Sequence, residues 1–186
     1  MGANGRCGVT AMTLLAALSL GAAGCTGEAP SPARDNGGAP PAPAPASSSQ
    51  PVAGVEDAVA AYRAMWKDLE AAGRTADPNA PQLGDHAAGG ALRLLKYGLA
   101  KDRQDGVIAK GEVILSPQVE SATPAAAPKQ VKIVDCSDGS HWLVYKHDGA
   151  LENDVPGGHH ETKATVQHFG TEWKVVDLTM GEVGSC

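Results

Sequence analysis

The sequence predicts an α+β domain in which N-terminal helices cover one face of a curved antiparallel sheet. Three observations lead there. Apolar residues recur at helical spacing from Val55 to about Asp102, they alternate with polar residues at the spacing of a strand after Asp105-Gly106, and the alternating stretches follow one another with no helix between them. Helices first and strands afterwards is the order of an α+β chain, because parallel strands would need a helical crossover between each pair.

Ahead of this domain lie two segments that build no core. Val9 to Ala23 is apolar apart from small hydroxyls, follows Arg6, and is shorter than the roughly 20 apolar residues that a bilayer-spanning helix needs. That is the layout of a cleaved secretory signal, residues 1–24. The small residues Ala22, Ala23 and Gly24 before Cys25 resemble the lipobox of bacterial lipoproteins. The resemblance implies that Cys25 becomes the new N-terminus and carries a diacylglycerol on its thiol. Acyl chains contribute about 0.8 kcal/mol per buried CH₂, enough for two or three of them to hold a protein on the membrane's outer face without a spanning helix. Ala22 stands where that motif usually has Leu, and the leader has a single basic side chain, so release as a soluble secreted protein is the alternative.

The cysteines fit this reading. Of four, Cys7 lies in the removed leader, Cys25 is the lipidation candidate, and Cys136 and Cys186 are left to pair in an oxidising compartment. A zinc site is the competing reading for the last two, but they stand about 50 residues apart with no CxxC. Residues 25–53 are Pro, Ala, Ser and Gly with almost nothing to bury, including Ala39-Pro40-Pro41-Ala42-Pro43-Ala44-Pro45, and read as an extended tether. It is a spacer, a means of reach through a wall layer, or a site for sugar on Ser47, Ser48 and Ser49. Residues 54–186 have the length of one ordinary domain.

Lys and Arg number 15 against 21 Asp and Glu, a net charge of −6, and losing the leader makes the balance one unit more negative. An acidic chain with no basic cluster excludes a nucleic-acid partner and offers no polybasic contact to anionic lipid, leaving Cys25 as the expected membrane link. Abundant Ala, Gly and Pro with a single Phe resembles the composition of exported actinobacterial proteins.

Within the domain, Val55, Ala58, Val59, Tyr62, Trp66 and Leu69 form the apolar stripe of a helix. Glu56 and Asp57 complement its N-terminal dipole, and Gly73 with the Asp77-Pro78-Asn79-Ala80-Pro81 run ends it. A second helix is expected from Asp85 to Asp102 on Ala88, Ala91, Leu92, Leu95 and Leu99. Its glycines, Gly89, Gly90 and Gly98, weaken it but permit close packing. Strands are expected at Val107–Ser116, Lys129–Cys136, His141–Lys146, Glu161–Phe169 and Glu172–Thr179, the last two joined as a hairpin through Gly170-Thr171.

A long first helix bearing Tyr62 and Trp66, a second helix, and a meander ending in Trp173-Lys174-Val175-Val176-Asp177-Leu178 resemble the cone-shaped nuclear transport factor 2-like and SnoaL-like superfamily. The resemblance implies a cone of helices and curved sheet around a pocket, which some relatives use for catalysis and others for binding or dimerisation. Its enzymes place an acid/base pair inside the cone, which makes Tyr62, Asp135, His141, His168 and Asp177 the catalytic candidates. Strand parity puts His168 on one face with Thr162, Ala164 and Val166, and Asp177 on one face with Trp173 and Val175. No spacing among them matches a catalytic motif, and for each a solvated or core role competes.

Other fragments exclude more than they suggest. Adjacent His159 and His160 at a strand start face opposite ways and cannot both chelate one ion without a bend in the chain. Asp135, Asp138 and Asp148 lack calcium-loop spacing, and Gly157-Gly158 precedes no phosphate-binding helix. Trp142, Trp173 and Tyr145 are candidates to line a pocket or fill the core. No cofactor or metal is expected. The function expected is therefore that of a non-enzymatic cell-surface lipoprotein binding a small apolar ligand or an envelope protein. The alternatives are an exported isomerase, dehydratase or hydrolase, or a structural role in the envelope.

Overall fold

The computed structural model describes residues 53–153, 155 and 157–186. The expected leader, Cys25 and nearly all of the tether fall outside that range. The described chain is α+β, in the order α1 (Val55–Gly73), α2 (Leu83–His86), α3 (Gly89–Asp105), β1 (Val107–Gly111), β2 (Gln118–Thr123), β3 (Gln130–Asp138), β4 (Trp142–Lys146), β5 (His159–Phe169) and β6 (Glu172–Met180). The helices pack on one face of an antiparallel sheet, as the periodicities predict.

Helix α1 forms where its stripe says it should. Ala58, Ala61, Tyr62, Met65, Trp66 and Ala72 are buried along one side, with Glu56 and Asp57 in the first turn. Burying each of the large ones contributes about 1.5–3 kcal/mol. Against them lie Val131 and Ile133 of β3, Ala164 and Val166 of β5, and Trp173, Val175 and Leu178 of β6, with Ala91, Leu95 and Leu99 of α3 completing the core.

The second helix is interrupted where the sequence suggested continuity. Ala87 and Ala88 are extended, and the Ala88 amide donates to the Val175 carbonyl at 2.8 Å, so two residues pair with β6 before the helix restarts at Gly89. Gly89 has φ +55, and a Cβ there would stand 3.0 Å from the Val176 carbonyl oxygen. The expected close approach of this helix to another element is therefore made by Gly89 and Gly90 onto β6. The helix ends at Gly106, left-handed at φ 74, as the Asp-Gly signal indicates.

The strands depart from a simple meander. β2, β3, β5 and β6 form a four-stranded sheet in that order, while β4 leaves it and pairs with β1 as a separate two-stranded ribbon. The expected strand Val107–Ser116 stops at Gly111, which has φ +110 and lies so close to the His141 carbonyl that any Cβ would collide with it. Beyond it the chain makes one backbone pair, Ile114 with Asp138, and then forms β2, which the sequence did not announce. β2 is a sheet edge whose residues are nearly all exposed, so it carries no alternation to read. Pro117 and Pro124 flank it, and its register with β3 slips at Glu120.

A second slip lies between β5 and β6. Val166 pairs with Val175 and Thr165 with Asp177, leaving Val176 as an extra residue. Parity therefore flips after Val175, so Leu178 is buried and Asp177 is exposed, off the face with Trp173 and Val175 on which unbroken alternation places it. On β5 the parity holds: Thr162, Ala164 and Val166 are buried.

Cys136 and Cys186 form a disulfide, with Cα atoms 5.8 Å apart and a sequence separation of 50. In the chain-entropy model a loop of this length contributes about 4 kcal/mol. Reduction, or Cys136→Ser, is expected to lower the melting temperature by on the order of 10 °C in a thermal scan. An unchanged transition would show that the bridge does not constrain the fold.

Candidate functional site

The catalytic candidates do not gather in one place. Tyr62 on α1 and Asp135 on β3 meet in the core, at 0 % and 2 % exposure, and the phenol donates to Asp135 Oδ2 at 3.0 Å. The other carboxylate oxygen accepts the Ser116 amide at 2.7 Å. Burial, and next the negative charge of Asp135, push the Tyr62 hydroxyl far above its ordinary pKa, so it stays protonated. The Trp66 indole opposes that rise, yet its buried Nε1–H is not aligned to donate to the phenol and has no other acceptor. His141 is exposed in the turn before β4, and His168 lies near the end of β5, 5.0 Å from the Trp173 ring centre and 3.4 Å from Lys129 Nζ. These residues form no single acid/base constellation, and Tyr62 and Asp135 border neither the groove nor the cleft described next.

The first of those cavities is an open groove of about 760 Å³ between α1, α2 and the β5–β6 hairpin. Ala60, Ala61 and Ala64 floor it, and Asp57, Asp85, His86, His168, Glu172, Trp173 and Lys174 ring it. His86 Nδ1 lies 2.7 Å from Asp68 Oδ2, a pair that sequence reading missed because its members are 18 residues apart on different helices. Burial raises the Asp68 carboxyl above its usual value, opposed by the hydrogen bond from His86. No serine or cysteine borders the groove, and Lys174 is already engaged by Gly84 O and Glu172.

The second cavity, about 220 Å³, is the apolar one. Trp66 and Leu69 of α1, Leu95, Gly98 and Leu99 of α3, Val113, Trp142 of β4 and Met180 of β6 supply its walls. Its polar contributions are few: Asp102, Ser137 and His160, with the backbones of Gly139 and Gly157. Burial pushes the Asp102 carboxyl above its ordinary pKa, with nearby Asp105 adding to the effect. Both nitrogens of His160 are engaged by carbonyl oxygens, of Gly181 at 2.9 Å and Gly157 at 3.1 Å. The Trp142 ring reaches across to Gly73 at the end of α1, where a Cβ would stand 3.0 Å from it. Of the aromatic trio singled out in the sequence, only Trp142 lines this cleft. Trp173 borders the groove, and Tyr145 borders neither cavity, lying under Lys110 Nζ at 4.7 Å. Asp102 and His160 were not anticipated, and no spacing in the sequence links them. Among the described residues, no group of three or more His, Cys, Asp or Glu is placed to hold a metal ion.

No protein-family model matches the chain, and no curated protein matches it. Solved structures do resemble it. The intermembrane-space region of the chloroplast protein ARC6 is 17 % identical, covering 68 % of this chain and 97 % of that one, with a TM-score of 0.45. Aln2 from a Streptomyces species is 13 % identical over 68 % of this chain and 88 % of its own, with a TM-score of 0.44. A domain of unknown function with a cystatin-like fold from Nostoc punctiforme is 8 % identical over 69 % and 78 %, with a TM-score of 0.41.

Tyr62→Phe leaves Asp135 Oδ2 without its donor in the core, and is expected to cost about 1–3 kcal/mol in a denaturant titration at neutral pH. The Tyr62 hydroxyl titrates higher in the folded chain than in the unfolded one, so its contribution is whole below about pH 10 and declines above it. The stability gap between wild type and Tyr62→Phe should therefore narrow between about pH 9 and pH 11. A gap that stays constant across that range would contradict the pairing.

Proposed function

We propose that the chain is an exported lipoprotein, held on the outer face of the cytoplasmic membrane through Cys25, whose α+β domain binds a small apolar molecule without transforming it. The observation that carries the binding reading is the 220 Å³ cleft, walled by side chains from both long helices and from the ends of the sheet. A 150 Å³ apolar cavity accepts benzene, so this volume suits a molecule of roughly one or two rings. Few polar groups and many apolar ones make a site that selects by shape and fixes orientation at its rim. Among the described residues no helix is long and apolar enough to cross a membrane.

An acid–base enzyme is the second reading, favoured by the raised carboxyl of Asp102 in the cleft. Binding is the better-supported role because each ring nitrogen of the cleft's histidine lies against a backbone carbonyl, Gly181 O at 2.9 Å and Gly157 O at 3.1 Å, rather than opening into the cleft beside Asp102 as an acid–base partner.

Two experiments test the proposal. Naphthalene and toluene should bind saturably and perturb the fluorescence of Trp66 and Trp142. Gly98 borders the cleft and an added Cβ there meets nothing within 4 Å. Gly98→Leu is therefore expected to weaken that binding at least tenfold while stabilising α3 by about 0.8 kcal/mol. Absence of saturable binding, or equal binding by the variant, would overturn the cleft reading. For the anchor, the native protein should enter the detergent phase on phase partition with the mass of an acylated N-terminal Cys25, and Cys25→Ser should move to the aqueous phase. An unprocessed leader in the intact mass would refute export.

A further inference from the structure

The six residues after β6 do not trail away from the domain. Gly181 N donates to the Glu161 carbonyl at 2.8 Å, Gly184 N to the His159 carbonyl at 2.7 Å, and Glu161 N to Ser185 Oγ at 2.8 Å, so the segment lies along the start of β5. Cys186 then joins Cys136. Val183 packs against Gly158, where a Cβ would come within 2.8 Å of it. Met180, immediately before this segment, and Gly157 and His160 beside it all border the apolar cleft.

His160 sits between two carbonyl oxygens, Gly181 O at Nδ1 and Gly157 O at Nε2. A carbonyl only accepts, and a neutral imidazole has one N–H. The neutral ring therefore satisfies one of these contacts and sets a lone pair against the other oxygen. Only the doubly protonated ring donates to both.

We infer that the C-terminal segment is a proton-locked strap at the rim of the cleft. Charged His160 ties it to the Gly157 loop, and loss of that proton releases one of the two ties. The inference rests on the cleft reading above and adds its regulation: the closed form holds one proton more, so closure grows as pH falls. The other titratable groups about the ring are Asp102 across the cleft on α3, Asp138 on β3, His159 and Glu161 on β5, and Glu182 on the strap. Among the described residues none of them makes a hydrogen bond or ion pair with the His160 ring. His159 faces Cys136 Sγ at 3.7 Å and Asp138 Oδ2 at 3.9 Å instead.

Amide hydrogen exchange at Gly181 and Gly184 reads the strap without any ligand. After correction for intrinsic rates, protection at these two amides is expected to be about tenfold higher near pH 5.5 than near pH 8, the worth of one charge-assisted hydrogen bond. Amides of Val131 and Val166 in the sheet should not follow. The step should vanish in His160→Gln and persist in His159→Gln. Equal protection at the two pH values in the native protein, or a step that survives His160→Gln, would overturn the strap. Naphthalene should dissociate more slowly near pH 5.5 than near pH 8. No naphthalene binding together with an intact exchange step would sink the cleft and spare the strap. Binding whose rates ignore pH, with no exchange step, would do the reverse.

Discussion

A single carboxylate in the core, Asp135, holds three parts of the chain in register. Ionised groups are costly to bury unless their oxygens are satisfied, and here each oxygen has one donor, the Tyr62 phenol from α1 and the Ser116 amide from the approach to β2. The tie sets how α1 is rotated over β3 and where the chain between the two sheets must pass. Glu70, farther along α1 and also buried, does the same from the other side by accepting the Val113 amide at 3.0 Å while Lys67 neutralises it. The connection from Glu112 to Ser116 is thus stitched down by two acidic side chains on either side of its one backbone pair, Ile114 with Asp138. Because Val113 lines the apolar cleft, those stitches also define one of its walls.

Much of this architecture was legible in the residues. The α1 stripe, the Asp105-Gly106 stop and the Gly170-Thr171 hairpin are local signals, and local signals survive folding. The expected pairing of Cys136 with Cys186 is present. What escaped was decided between distant segments. The helix break at Ala87 and Ala88 exists because β6 offers them a backbone partner, and β1 ends where the His141 carbonyl, in the turn before β4, crowds Gly111. Asp177 left the face of Trp173 and Val175 because one extra residue, Val176, turned the strand over.

The candidate site follows the same division. Tyr62 and Asp135 were named from their chemistry, but their partnership, and with it their role in holding the core, depended on a contact across 73 residues. The cleft collects side chains from both long helices, from the β1–β2 connection and from four strands or their ends. No spacing in the chain announces such an assembly. Gly98 was noticed only as a weak point in a helix, although its missing side chain is part of what leaves the space open.

β2 closes one side of the four-stranded sheet with its outer backbone groups unpaired by any other strand of the described domain. Such a border can template the addition of a foreign strand and so seed aggregation. Here the invitation is short and badly shaped, because prolines bound it at both ends and an irregular step at Glu120 spoils its straightness. A strand too exposed to show in the sequence pattern is thus, by its prolines and its uneven register, a border that guards the folded molecule against fibrous self-association.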